Sequence, residues 1–127
     1  MALVIESNQR TFKAGADLSG SQYYLVKLSG TDGTTVVLAT SATDKIIGVL
    51  ENAPVSGDNA VVRLISSTGT GKVKSGGDIT AGDKLTTNGS GKAISTSTST
   101  NRVFGIALAT TTSGDIVEYI PVTEVVA

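Results

Sequence analysis

The sequence predicts an all-β fold, a single compact β-barrel or sandwich-like domain with an internal duplication. Three observations carry that prediction. Valine and threonine make up about a quarter of the chain, and β-branched side chains suit a pleated, half-buried surface. Glycine, with 15 residues, and serine break the apolar segments into short runs, and only 17% of residues are charged, a composition of strands and turns rather than solvated helices. The third observation is a repeat. Thr43-Asp44-Lys45-Ile46-Ile47-Gly48-Val49-Leu50, followed by Ser56-Gly57-Asp58, returns 57 residues later as Thr100-Asn101-Arg102-Val103-Phe104-Gly105-Ile106-Ala107 with Ser113-Gly114-Asp115. A chain of 127 residues buries roughly two thirds of its unfolded surface in one core. Two related halves of one fold therefore fit better than two domains.

Residues 1–21 show no sustained period and read as an extended N-terminal arm, either a free terminus or a segment that orders against a neighbour through Leu3, Val4, Ile5 and Phe12. On either reading, removing Met1 to Ser19 is expected to leave the β-fold intact. The first strand is expected over Tyr23–Leu28, with Tyr24, Val26 and Leu28 on one face. Gly30-Thr31-Asp32-Gly33 is turn chemistry, so Thr34–Ala39 returns as the second arm of a hairpin. Lys45–Leu50 is apolar on both faces, as in a central strand. Gly48 within it marks a bulge or a close backbone approach. Pro54 falls in the loop that follows, and Ser56-Gly57-Asp58 turns the chain into Ala60–Ile65.

Lys72-Val73-Lys74 is a short strand with both lysines toward water. Ala81-Gly82-Asp83 leads into Lys84–Thr87, and Asn88-Gly89 predicts a hairpin returning through Lys92-Ala93-Ile94. Ser95 to Thr100 is a polar link. Val103–Ala109 and Ile116–Ile120 are the second copies of the core strands, and Pro121 is expected to end regular structure. At the fixed offset Gly20 aligns with Gly77, Lys27-Leu28 with Lys84-Leu85 and Gly48 with Gly105. Two copies are too few for a solenoid. The expected organisation is an arm over 1–21, a duplicated β-domain over 22–122 with halves at about 22–65 and 79–122, and a tail over 123–127.

No residue pattern announces a chemistry. The chain has no cysteine and no histidine, which removes thiolate, usual zinc and His-based catalytic sites. Gly71-Lys72 and Gly91-Lys92 resemble the end of a phosphate-binding loop. The required upstream glycine is Ser66 or Thr86, however, and the required hydroxyl residue is Val73 or Ala93. Asp58, Asp83 and Asp115 are the carboxylates a hydrolase would draw on, but each follows a glycine, where aspartate is a routine turn residue. No calcium-type series of alternating aspartates exists. Asn88-Gly89-Ser90 is a formal glycosylation sequon that reads better as a turn. The net charge is −1, with charges scattered singly and aromatics at 4%, which leaves neither a phosphate-binding patch nor a base-stacking platform. No apolar run is long enough to span a membrane as a helix, and no export signal is visible, so a soluble protein is expected. Catalytic, cofactor-binding and metal-binding residues are each expected to be none, with no cofactor, no nucleic-acid partner and no membrane partner.

The ordered series Tyr24-Leu25-Val26-Lys27-Leu28, Ile46-Ile47-Gly48-Val49-Leu50 with Asn52, Pro54 and Gly57, Gly71-Lys72-Val73-Lys74, Ile79-Thr80-Ala81-Gly82-Asp83-Lys84-Leu85, and Phe104-Gly105-Ile106-Ala107 with Gly114-Asp115 resembles the bacteriophage capsid decoration, or head cement, proteins. The likeness runs from about Tyr23 to Val122, and order and spacing carry it rather than any one motif. The resemblance implies a non-enzymatic virion protein on the outer surface of an assembled head, made in the bacterial cytoplasm. Its partners would be the major capsid protein and itself, as a homotrimer at three-fold or quasi-three-fold positions. In such proteins the N-terminal segment can lie along the shell, which here would be Met1 to about Gly20. A fibre or adhesive module of the virion is the alternative within structural proteins, and a carboxylate hydrolase the alternative outside them.

Overall fold

The computed structural model describes residues 8–127, and every element in it is a strand or a turn. Ten strands follow in order: β1 (Gln9–Ala14), β2 (Leu25–Leu28), β3 (Thr35–Leu38), β4 (Ile46–Leu50), β5 (Asn59–Leu64), β6 (Gly71–Lys74), β7 (Lys84–Thr87), β8 (Ala93–Ser95), β9 (Arg102–Ala107) and β10 (Ile116–Val125). The first five close into a barrel, β1-β3-β2-β4-β5, with β1 antiparallel to β5 and parallel to β3. The other five form a sheet ordered β6-β10-β9-β7-β8.

That sheet repeats the barrel. β2–β3, β2–β4, β4–β5 and β1–β5 recur as β7–β8, β7–β9, β9–β10 and β6–β10, all antiparallel. The parallel closure of β1 on β3 at Ala14 and Val36 recurs as a single bridge from Ser75 to Ala93. Individual hydrogen bonds recur as well. The Ala14 amide donates to the Asp58 carbonyl at 2.9 Å and the Gly57 amide to the Ala14 carbonyl at 2.9 Å; Ser75 repeats both, at 2.8 Å to Asp115 and 2.9 Å from Gly114.

Two expectations fail at the chain ends. Residues 9–14 are not an arm. β1 is the strand that closes the barrel, and Phe12, Ala14 and Leu18 belong to its core. The alternation that buries Phe12 and Ala14 is only two side chains long, too short to stand out beside a polar stretch. Residues 15–21 of the expected arm form turns that carry Leu18 into the barrel core, and its first residues, 1–7, lie outside the described residues. At the other end β10 continues through Pro121 to Val125. β6 pairs with β10 only as far as Tyr119, and the β9 register shifts between Pro121 and Glu124. Pro121 therefore sits where one edge of β10 is free, a place a strand tolerates proline.

The repeat also needs one adjustment. Val26 pairs with Gly48 and Leu85 with Gly105, so Val26 is the structural counterpart of Leu85. The sequence match of Lys27-Leu28 to Lys84-Leu85 is displaced by two residues. Burial agrees, since Leu28 is 39% exposed and Leu85 fully buried.

Two cores follow. One fills the barrel with Phe12, Ala14, Leu18, Val26, Val36, Leu50, Ala60 and Val62. The other joins the inner side of the second half (Val73, Ile79, Leu85, Ala93, Phe104, Ala107, Val117 and Tyr119) to the outward-pointing Leu25, Ala39, Ile46 and Val49 of the barrel. β2 and β4 are thus buried on both sides. Burying side chains of this size contributes about 1.5–3 kcal/mol each. Gly48 marks a close approach of β4 to its barrel neighbour β5: a Cβ there would strike the Arg63 carbonyl oxygen and lie 2.8 Å from Val62. The β2–β4 register shifts at this point, leaving Ile47 as an extra residue. Close approach and bulge coincide. At Gly105 the obstacles are the Tyr119 ring, 2.6 Å from the same hypothetical Cβ, and the Ile120 carbonyl oxygen at 2.9 Å; the ring meets Phe104 edge-on, with centroids 5.2 Å apart.

Gly48→Ala and Gly105→Ala should each lose about 1–3 kcal/mol in urea unfolding, with Gly48 the worse because its Cβ would press much closer on the Arg63 carbonyl than that of Gly105 does on the Ile120 carbonyl. Gly20→Ala, whose methyl meets nothing, should be near neutral. Deleting residues 1–19 should abolish the cooperative unfolding transition and the β-type circular dichroism of the barrel; an unchanged spectrum and midpoint would mean that β1 is dispensable.

Candidate functional site

The three glycine-preceded aspartates occupy one kind of turn. The amides of Asp58, Asp83 and Asp115 donate to the carbonyls of Val55, Thr80 and Thr112 at 3.1, 3.0 and 3.1 Å, and Gly57, Gly82 and Gly114 take φ of 86°, 94° or a value between them. Positive φ at the third position defines a type II turn. The Asp83 carboxylate accepts from the Thr80 amide at 2.9 Å, and that of Asp115 from the Thr112 amide at 3.0 Å and hydroxyl at 3.2 Å. These carboxylates cap their own turns. Asp58 and Asp115 stand in the corresponding turns of the two halves, before β5 and β10, and Asp83 in the turn before β7. Among the described residues no three acidic side chains gather as a metal site would require, and no helix is long and apolar enough to cross a membrane.

Gly71 and Gly91 are likewise structural. Gly71 begins β6 beneath the Tyr119 ring, whose Cζ lies 2.8 Å from where a Cβ would sit. Gly91 belongs to the Asn88–Lys92 hairpin, in which the Asn88 carboxamide oxygen accepts from the amides of Ser90 at 2.9 Å and Lys92 at 3.0 Å. Burial of the Tyr119 phenol pushes its pKa up to about 12, against the opposing pull of Arg63.

What the surface presents is a junction between halves and a set of exposed strand faces. At the junction the Leu25 amide donates to the Gly91 carbonyl at 2.7 Å, the Lys74 amide to the Tyr23 carbonyl at 2.8 Å and the Arg102 amide to the Ala42 carbonyl at 2.8 Å, while Arg102 Nε reaches the Thr43 carbonyl at 3.1 Å. Asp44 shapes the loop that offers those carbonyls. Its Oδ2 accepts from the Thr40 amide at 2.8 Å and the Ser41 amide at 3.0 Å and pairs with Lys27 at 3.1 Å. Partial burial pushes the Asp44 carboxyl upward, but the Thr40 amide, Lys27 and the Ser41 amide outweigh it and hold it below the usual range.

Near the junction a cleft lined by Tyr23, Glu51, Arg63, Gly71, Lys72 and Glu118 mixes both signs of charge. Several of its members are tied to neighbours, with the Thr70 hydroxyl on Glu118 at 2.7 Å, Arg63 Nη2 on the Thr68 carbonyl at 3.1 Å and Gln9 on Glu51, while the buried Arg63 Nε has no hydrogen-bond partner among the described residues. A second concavity, about 580 Å³ and lined by polar loop residues from Asn52 to Asn59, is open to solvent. Neither converges a nucleophile on a base.

The exposed apolar side chains are more informative. On β10, Ile116 is 41% and Ile120 44% exposed, with Leu108 at 41% just beyond β9. Ile120 pairs across the ladder with the half-buried Ile106, and Glu118 with Lys72. An apolar strip edged by charge results. The alternation Ile116, Glu118, Ile120 was legible as a strand; that its outer face stays uncovered was not.

The fold and surface thus define an all-β scaffold whose second sheet carries exposed apolar side chains on its outer face. The chain belongs to the phage cement protein family, whose model matches residues 11–121 and so spans both halves. Among solved structures it is similar to the N base of the head fiber gp8.5 of bacteriophage phi29, with a TM-score of 0.72 and 26% identity over 90% of this chain and 92% of that one. No curated protein matches it. Family and structural neighbour make this a structural protein of the phage virion.

Asp44→Asn should destabilise by about 1 kcal/mol at pH 7, since the pair is partly solvated. The folded pKa of Asp44 lies below the unfolded value, so its contribution is full above roughly pH 4 and is lost as pH falls through the lower folded value. Urea midpoints of wild type and variant should therefore converge in acid; a constant gap would show that the charge is not the cause.

Proposed function

We propose that this protein binds the outer surface of an assembled phage head and stabilises it, acting as a homotrimer at three-fold or quasi-three-fold positions with the major capsid protein as its partner. The observation that carries the reading is the match to the phage cement family along nearly the whole duplicated unit. The structural neighbour, named as a head fiber base, supports attachment at the head. It also favours a second reading in which the domain is the base of a longer surface fiber.

The physics of cementing asks for little chemistry. A rigid module that touches several shell subunits turns weak individual contacts into strong attachment through effective concentration. Because it engages the assembled lattice and not free subunits, it stabilises the shell by mass action, by about 2.7 kcal/mol per site at a hundredfold excess over Kd. Two cores sharing β2 and β4 supply the rigidity.

Purified protein added to undecorated heads should bind to saturation at symmetric positions and raise the temperature at which the heads release DNA. Absent or non-saturating binding would remove the cement reading. Saturable binding without added head stability would favour the fiber-base reading.

A further inference from the structure

The two halves are packed head to tail rather than face to face. The tip of the second hairpin, Asn88–Gly91, sits on the far end of the first: the Gly91 carbonyl accepts from Leu25, and Cβ positions built at Gly91 and Gly89 lie 3.0 Å from the Leu25 carbonyl and 3.8 Å from the Thr40 carbonyl. Beside this contact Leu25, Ile46 and Val49 bury their outward side chains in the second core. A head-to-tail contact uses two different surfaces, so a tandem of two units leaves one of each unused.

Both unused surfaces are present. The counterpart of the Asn88–Gly91 tip is the β2–β3 turn at residues 29–34, where Gly30, Thr31, Asp32 and Thr34 are exposed and Leu28 beside them is 39% exposed. The counterparts of Leu25, Ala39, Thr40 and Val49 are Lys84, Thr96, Ser97 and Ile106. The equivalence is fixed by matching bonds: the Ala39 amide donates to the Leu25 carbonyl at 2.9 Å and the Thr96 amide to the Lys84 carbonyl at 2.9 Å. In the second half this face is covered in part: Val103, the counterpart of Ile46, is 1% exposed and Glu124 reaches Lys84, whereas the part around Lys84 and Ile106 is open. Lys84 is exposed, Val49 is 1% exposed whereas Ile106 is only half-buried, and Ile120 next to it is 44% exposed. Asp83, Lys84 and Ser95–Thr98 line an open concavity there, where the first half receives a hairpin.

We infer that this face of the second half is a self-association surface that receives the β2–β3 tip of another copy of the chain, continuing between protomers the contact that joins the halves within one. Both sides carry charge, Asp32 on the tip, where its carboxylate also accepts from Thr34 and Thr35, and Lys84 with Asp83 on the face; the exposed pairing of Lys84 with Glu124 at 3.1 Å is weak enough to be exchanged. The apolar part fits as well, with Leu28 beside the tip and Ile106 and Ile120 beside the concavity. Such contacts make a closed ring when the rotation per step closes and an open filament when it does not. The inference names the self-contact of the trimer proposed above and rests on that reading for the number three.

The chain has no cysteine, so introduced thiols report cleanly. Thr31 corresponds to the tip residues near Thr40, and Ser97 to Thr40 itself. The double variant Thr31→Cys/Ser97→Cys, oxidised in solution and on decorated heads, should give a disulfide ladder ending at three chains, with each single variant remaining monomeric on a non-reducing gel. Ile120→Asp, at an exposed position, should lower the light-scattering mass to one chain while leaving the circular dichroism unchanged. A ladder running past three chains would keep the self-contact and refute the three-fold ring. No inter-chain disulfide in either setting, or a dimer from one single variant, would overturn the inference, and binding of such a protein to heads would leave the cement reading standing.

Discussion

The double burial of β2 and β4 is the constraint on which the rest of this structure depends. Their inward residues Val26 and Leu50 close the barrel core, and their outward residues Leu25, Ile46 and Val49 complete the core of the second half. Neither half buries its apolar surface alone, since the second sheet is left open between β6 and β8 except for one bridge. Sharing two strands between two cores joins a duplicated sequence into one body. Mainly small aliphatic side chains fill the two cores, and within the barrel glycine stands where β4 runs closest to β5, at Gly48.

Duplication also shows where the halves have been put to different use. The turn before β2 and the turn before β7 share one geometry, but the positive-φ position is Tyr23 (φ 68°) in the first and Gly82 (φ 93°) in the second. Left-handed backbone costs a tyrosine about 1 kcal/mol or more. What offsets it is the junction: the Tyr23 carbonyl accepts from Lys74 and its side chain packs on the second core. In the second half the corresponding turn meets no third unit, and glycine takes the place at no steric cost. Divergence follows the contact.

The polar groups of this protein are spent mostly on its own turns. Its carboxylates cap turns, its phenol of raised pKa is buried packing, and several members of its mixed-charge cleft are tied to neighbours. What its surface leaves exposed includes the apolar Ile116, Ile120 and Leu108, in a family of phage cement proteins.

The sequence by itself determined the strand class, the duplication, the turns at Gly57-Asp58 and Gly114-Asp115, the Asn88-Gly89 hairpin and the special status of Gly48, because each is a local matter of backbone preference or of side-chain period. The family, too, was legible, from the order and spacing of short motifs. Tertiary structure alone decided the rest. That residues 9–14 close a barrel depends on β5 and β3 offering free ladders on both sides, which no local pattern reveals. Likewise β10 runs through Pro121 because β6 has already ended, leaving no partner there for the missing N–H. The offset of Val26 from Leu85 is settled by the strands across from them rather than by their own identities. So too for the exposed face of the second half: Val49 and Ile106 are chemically alike in sequence, and only the presence of a neighbouring unit over one and its absence over the other make the first a core residue and the second a surface.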